Sequence, residues 1–373
     1  MKNSNMRRWL SKSSTAVLAF LLIGTLVRAQ ETTPDSLDIK IGQMIIIGVK
    51  GNAVSESDKV MQEIAEGKVG GIILYEKNIN AKESYINFKK LTWALQQKAP
   101  IPLFMAIDQE GGFVNRLKEK YDFPKSVSAA YLGNVDNLDS TRFYNEITAA
   151  TLAGLGVNVN FAPVVDLATN PDNPIIAKYE RAYSDNPEIV ARHAREAIAA
   201  HNKMGVVTVL KHFPGHGSSK SDTHLGIADV TKYWQQIELD PYKAAIDSGY
   251  IDAIMTAHIV NKSLDTLGLP GTLSKSIMTG LLRDSLNYEG VIFSDDMQMR
   301  AISDHFGLEK SIRLSIEAGV DVLMFSNNIR NTENRTVDTV HRIIRELIEE
   351  GVIDESRIDQ SYRRILKLKH QIK

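Results

Sequence analysis

The 373-residue sequence contains no cysteine. That excludes disulfides, thiolate metal sites and a lipid anchor on cysteine. No HExxH pattern occurs, and no GxGxxG or GxxxxGK[ST] turn opens a helix. Zinc-protease chemistry and nucleotide-phosphate cradles therefore have no signature here. No low-complexity linker divides the chain. Acidic residues are missing from the first 29 positions, where Lys2, Arg7, Arg8 and Lys12 precede an apolar run from Ala16 to Val27. Val27-Arg28-Ala29 then supplies small side chains at the usual positions before a cleavage. The pattern predicts a secretory signal peptide over residues 1–29, and hence a periplasmic or secreted protein. The alternative is an uncleaved anchor helix, for which the run is short.

The first 29 residues hold five basic side chains. Setting them aside leaves 39 Lys and Arg against 45 Asp and Glu, a net charge of −6. An acidic balance argues against a nucleic-acid partner and against stable membrane association once the leader is gone. Residues 30–373 suit one α/β domain. Apolar runs at Met44–Val49, Gly71–Tyr75, Leu103–Asp108, Val157–Phe161, Val206–His212, Ala253–His258, Val291–Ser294 and Val320–Phe325 read as buried parallel strands. Amphipathic segments follow them at Ser55–Gly67, Ala81–Lys98, Leu138–Leu155, Pro187–Met204, Lys232–Ser248, Lys275–Leu286, Leu308–Ala318 and Asn334–Glu349, with a terminal helix over Glu355–Lys369. Eight such alternations predict a (β/α)8 TIM-type barrel in preference to an open doubly wound sheet.

Titratable residues gather where these strands end. Asp108, Asp166, Lys211-His212, His258 and Asp295 all follow apolar runs, and in a barrel those ends converge on the face that carries the active site. The densest loop is Lys211-His-Phe-Pro-Gly-His-Gly217, continued by Asp222-Thr-His224. Asp222 suits an orienter and His224 a proton shuttle, since an imidazole titrates near ~6.5; a loop-stabilising hydrogen bond is the plainer reading. Of Asp295 and Asp296, one suits the carboxylate nucleophile of a glycosidase and the other a helix cap. Asp108, beside Gly111-Gly112, suits acceptance of two sugar hydroxyls, and Arg116 and Arg181 suit donation to sugar oxygens. Surface salt bridges are the alternative for both arginines. No HExxH helix accompanies the histidines, and no metal or other cofactor is expected.

Four blocks carry a resemblance: Asp108-Gln-Glu-Gly-Gly112, the Lys211–His224 loop, Met255-Thr-Ala-His258, and Gly290-Val-Ile-Phe-Ser-Asp-Asp296-Met. Their order and spacing are similar to glycoside hydrolase family 3, in its β-N-acetylglucosaminidase branch, over about Lys40 to Lys369. The resemblance implies a barrel whose nucleophile is Asp295 and whose acid/base is His224, paired with Asp222. It implies that Asp108, Arg116, Arg181, Lys211, His212 and His258 line the subsite for a terminal N-acetylglucosamine. Phe113 stands where many relatives have Arg, and Glu180-Arg181-Ala182-Tyr183-Ser184 matches the family's Arg-Ser-Phe block only loosely. The implied reaction is retaining release of the terminal sugar from muropeptides or chitin-type oligosaccharides. A phosphorylase, a β-glucosidase of the same family and an inactive sugar-binding protein are the alternatives.

Overall fold

All eight apolar runs form strands of one closed parallel barrel: β1 (Ile45–Gly48), β2 (Gly71–Leu74), β3 (Phe104–Ile107), β4 (Val159–Asn160), β5 (Val207–Phe213), β6 (Ala253–Thr256), β7 (Val291–Asp296) and β8 (Val322–Phe325). The computed structural model describes residues 36–328 and 336–372; the expected leader lies outside them. Each strand pairs with its sequence neighbours, and β1 closes the ring on β8 through Ile45↔Leu323 and Ile47↔Phe325. Every strand residue is buried except Asp295, which is half-buried. The strands are apolar on both faces for that reason: one packs inside the barrel and the other against the helices. Inside, Phe293 meets Phe104 and Phe161 edge-on, with ring centroids 5.5 and 5.8 Å apart. Among the described residues no helix is long and apolar enough to cross a membrane.

The helical expectations differ in one place that matters to the site. Instead of one helix over Lys232–Ser248, the chain makes a 3₁₀ turn at Gln236–Leu239 and then a short helix, Asp240–Asp247, with Pro241 in its first turn. The turn points Glu238 inward, where its Oε2 accepts the backbone N–H of Gly217 at 2.9 Å. Beside the barrel mouth, Ala228–Asp229 and Ile259–Val260 pair as a separate two-stranded sheet.

Two strands break register at the mouth. Between β5 and β6 the pairing passes from Leu210↔Ile254 to Phe213↔Thr256, an extra residue on β5. Between β8 and β7 it passes from Val322↔Phe293 to Met324↔Asp296, an extra residue on β7. In a regular strand adjacent side chains point to opposite faces, and a bulge re-aims one of them. Lys211 and His212 consequently line one cavity together, as do Asp295 and Asp296.

Candidate active site

The cavity lies at the C-terminal ends of the strands and measures about 400 Å³. Asp108, Arg116, Arg181, Lys211, His212, Asp222, His224 and Asp295 all line it. One side of it is an ion-pair network. Lys211 Nζ lies 2.8 Å from Asp108 Oδ1 and 2.6 Å from Glu110 Oε1. Arg181 holds Glu110 through two parallel bonds of 2.8 Å and donates a third to the Ile175 carbonyl at 2.9 Å. Arg116 reaches Asp108 Oδ2 at 3.4 Å and lies over the Tyr75 ring. Burial alone raises carboxyl pKa values, yet Arg181 and Lys211 hold Glu110 far below the ordinary range, and Lys211 and Arg116 hold Asp108 down. Burial opposes the charge on Lys211, but the two carboxylates outweigh it and its pKa rises. These groups are therefore ionised, fixed and partly open to a ligand.

Asp166 organises the loop behind them. It is fully buried, takes His212 Nδ1 at 2.6 Å, and accepts the backbone N–H of His212 and of His216 at 3.2 and 2.7 Å. His212 is held on both sides, with Nδ1 on Asp166 and Nε2 3.3 Å from the Arg181 guanidinium. The loop then turns closely under the barrel rim. A Cβ on Gly217 would stand 1.9 Å from the Leu167 carbonyl oxygen, so only glycine fits. Beyond it Asp222 Oδ1 accepts both the backbone N–H and Nδ1–H of His224 at 2.8 Å. That leaves Nε2 of a half-exposed imidazole for proton transfer. Burial lowers the His224 pKa, but the bond to Asp222 and the charge of Asp295 outweigh it, and the pKa is raised.

The two adjacent aspartates are held differently. Asp295 Oδ1 accepts the N–H of Asp296 at 2.7 Å, and Oδ2 has no bonded partner among the described residues. Burial pushes its pKa up; the imidazoles of His258, His212 and His224 hold it below the ordinary value. Asp296 has both oxygens occupied, by the backbone N–H groups of Gln298 and Ser326 and by the Ser326 hydroxyl, and burial pushes its pKa up to about 6. The expected helix cap is not made. The following helix starts at Arg300 behind Met299, and Asp296 ties the end of β7 to the end of β8 instead.

His258 corrects another expectation. It was placed among the sugar-lining residues, but it is fully buried and does not reach the cavity. Its Nδ1 meets the Thr272 hydroxyl at 2.7 Å and its Nε2 the Asp296 carbonyl at 3.0 Å, so it supports the turn that carries the aspartates. Four contributors escaped the sequence reading. The sequence motif gives Glu110 no role, Asp166 reads only as a strand-end residue, and Tyr179 and Ser326 carry no signal. Among the described residues no group of three or more His, Asp or Glu side chains is arranged to hold a metal ion.

Comparison with known proteins fits this geometry. The model of the glycosyl hydrolase family 3 N-terminal domain matches residues 36–368. β-Hexosaminidase A of Pseudoalteromonas piscicida is 34% identical over 330 residues, 83% of this chain and 54% of that protein. β-Hexosaminidase of Xylella fastidiosa (strain M23) is 33% identical over 288 residues, covering 75% and 82% of the two chains. A family 3 β-N-acetylglucosaminidase from Paenibacillus sp. str. FPU-7 superposes with a TM-score of 0.82 at 34% identity, over 90% of this chain and 62% of that one. The chain thus spans about half the length of the first of these relatives and most of the second. On the family model, these relatives and the barrel itself, the chain belongs to glycosyl hydrolase family 3.

Proposed function

We propose that this chain is an exported, retaining exo-β-N-acetylglucosaminidase that releases terminal β-linked N-acetylglucosamine from muropeptides or chitin-type oligosaccharides. The observation that carries the reading is the pairing, in one cavity, of an ionised carboxylate with a free oxygen, Asp295, and an imidazole oriented by a carboxylate, His224 on Asp222. The relatives' names supply the sugar, and the sequence leader supplies the export. In the first step Asp295 Oδ2 attacks the anomeric carbon while His224 Nε2–H protonates the departing oxygen, giving a glycosyl ester and a free aglycone. In the second, neutral His224 takes a proton from water, whose oxygen attacks the anomeric carbon and returns Asp295 as carboxylate. Asp108 and Lys211 bind the sugar hydroxyls. An imidazole base adds no negative charge to the site, so phosphate is admissible as an alternative acceptor.

Turnover of 4-nitrophenyl N-acetyl-β-glucosaminide beside the glucoside, with and without phosphate, tests substrate and acceptor together. Preference for the N-acetyl substrate with phosphate-independent release is expected. Equal rates on both sugars would defeat the assignment, and a sugar 1-phosphate product would make the enzyme a phosphorylase. Asp295→Ala is expected to abolish turnover with the fold intact, and a slow fluorinated substrate to label Asp295 by mass spectrometry; a label on Asp296 would contradict the proposed nucleophile.

A further inference from the structure

Two aromatic rings stand face to face where the pocket adjoins a second cavity, and the mechanism above does not use them. Phe113 and Tyr179 stack with centroids 4.0 Å apart and planes 12° from parallel. Phe113 is 66% exposed although one of its faces is covered by Tyr179. Tyr179 lines the active-site cavity and also a second, adjoining cavity of about 560 Å³, whose walls include Phe113, Lys125, Tyr131 and Lys178. The rings therefore sit on the path out of the pocket, with polar groups around an apolar face.

Their position is built in by the binding network. Phe113 is three residues beyond Glu110, and Tyr179 is two before Arg181, so the two hydrogen bonds that Arg181 donates to Glu110 clamp the two loops together. The loop carrying Phe113 is a tight turn in which Glu110 and Gly111 both donate to the Val114 carbonyl. A Cβ on Gly111, at φ +93°, would stand 2.3 Å from the Val127 carbonyl oxygen. The loop carrying Tyr179 is pinned by the bond from Ala130 N–H to the Glu180 carbonyl at 3.1 Å. A rigid, outward-facing aromatic face gains affinity because little ordering remains to be lost on binding.

We propose that the stacked Phe113–Tyr179 pair is the subsite for the first pyranose ring of the leaving group. This rests on the exo-hydrolase reading above. When one terminal sugar fills the pocket, whatever continues past its rim is aglycone. The C–H face of a pyranose is apolar and flat enough to lie on an aromatic ring, and its edge carries hydroxyls for the surrounding polar groups. The site accordingly selects for saccharides with a ring in the leaving group, independently of what the inner pocket recognises.

The test compares kcat/KM for methyl N-acetyl-β-glucosaminide, whose leaving alkoxide has no ring, with that for the β-1,4-linked N-acetylglucosamine trisaccharide. Phe113→Ala is expected to leave the methyl glycoside within about twofold and to lower the trisaccharide by ~10-fold, mostly through KM, with Phe113→Trp restoring it. Equal loss on both substrates, or no loss on either, overturns the proposal. So does a wild-type dimer that Phe113→Ala converts to monomer in light scattering, which would make the rings an interface between copies. A wild type that cleaves neither substrate defeats the exo-hydrolase reading itself and removes this proposal with it; an active wild type with an indistinguishable variant defeats this proposal alone.

Discussion

Lys211 and Lys369 are buried to the same degree, 2% and 4% exposed, at opposite ends of one barrel. At the mouth, Lys211 meets two carboxylates within 2.8 Å, and its pKa is raised. At the base, Lys369 comes from the terminal helix Glu355–Lys369 and donates to Gln43 Oε1 at 2.6 Å and to the Gly70 carbonyl at 2.8 Å, with the Phe104 ring 4.6 Å away. Those acceptors are neutral, and burial takes its pKa well below the ordinary value. Burial is shared and the outcome is opposite, so the partners decide whether an interior ammonium stays charged. The mouth supplies counter-charges, the carboxylates of Asp108 and Glu110. The base supplies only dipoles, and its lysine serves as a long apolar stem with a hydrogen-bonding tip.

The comparison breaks most sharply at Lys211. Lys211→Met keeps most of the volume but leaves Asp108 with only the 3.4 Å contact to Arg116 and Glu110 with only Arg181. Removing one member of a buried ion pair leaves an uncompensated charge and costs ~3–5 kcal/mol. If Asp108 binds the sugar as proposed, displacing it is expected to lower kcat/KM by at least ~10²-fold. Urea unfolding and steady-state kinetics on the same preparation check both. Full activity in Lys211→Met would mean that the network is only structural.

Glu238 sharpens the comparison, because it lies behind the mouth without a counter-charge. Gly217 N–H holds one oxygen, and burial, assisted by the charge of Asp166, outweighs the hydrogen bonds from Ser218 and Gly217 and pushes its pKa up to about 7. An unfolded glutamate titrates near 4.5. Between these values the unfolded chain gives up its proton while the native state keeps it, so rising pH favours unfolding until the loss is complete above about 7. Glu238→Gln is expected to match the wild type near pH 4 and to exceed it by up to ~3 kcal/mol at pH 8. Chemical denaturation at the two pH values measures the difference. A gain that is the same at both would show that the carboxyl does not titrate in this window.

The barrel was legible because its strands are largely apolar on both faces, and each expected run from Met44–Val49 to Val320–Phe325 falls on one, with β5 and β7 continuing one and two residues past the expected end. Part of the mouth was legible too: Asp108 and Lys211 lie at the ends of those runs, Asp295 just past one and Asp222 in the loop that follows Lys211, and all four line the cavity. What escaped was orientation. A bulge adds one residue without changing composition, so nothing in the sequence says that Lys211 and His212 face the same way. His258 looks like its neighbours in the chain, yet it points to Thr272 and away from the cavity. Glu110 and Asp166 act through partners far along the chain, Arg181 and His212, and such pairings exist only after folding. Stacking of Phe113 on Tyr179 is equally non-local.

The smallest expected effect lies at the base. A lysine whose folded pKa is depressed favours the neutral native form. Above the unfolded value of 10.5 both states are neutral and the penalty vanishes. As pH falls below that value the unfolded chain gains a proton that the native state resists, and stability is lost. Lys369 therefore opposes folding at pH 7 more than at pH 10. Lys369→Met removes this penalty, keeps an unbranched side chain beside the Phe104 ring and gives up the bonds to Gln43 and Gly70. The Gly70 carbonyl still accepts the Phe104 N–H at 3.0 Å, so it is not orphaned. The variant is expected to be more stable than the wild type by ~1 kcal/mol at pH 7, to lose that advantage as the pH approaches 10, and to keep wild-type kcat/KM throughout. Paired urea titrations of the two proteins at pH 7 and 9.5 cancel the other alkaline groups. Should the difference between the two proteins not change with pH, Lys369 is charged in the native state, and neutral dipoles at the base hold an ammonium as well as the carboxylates at the mouth do.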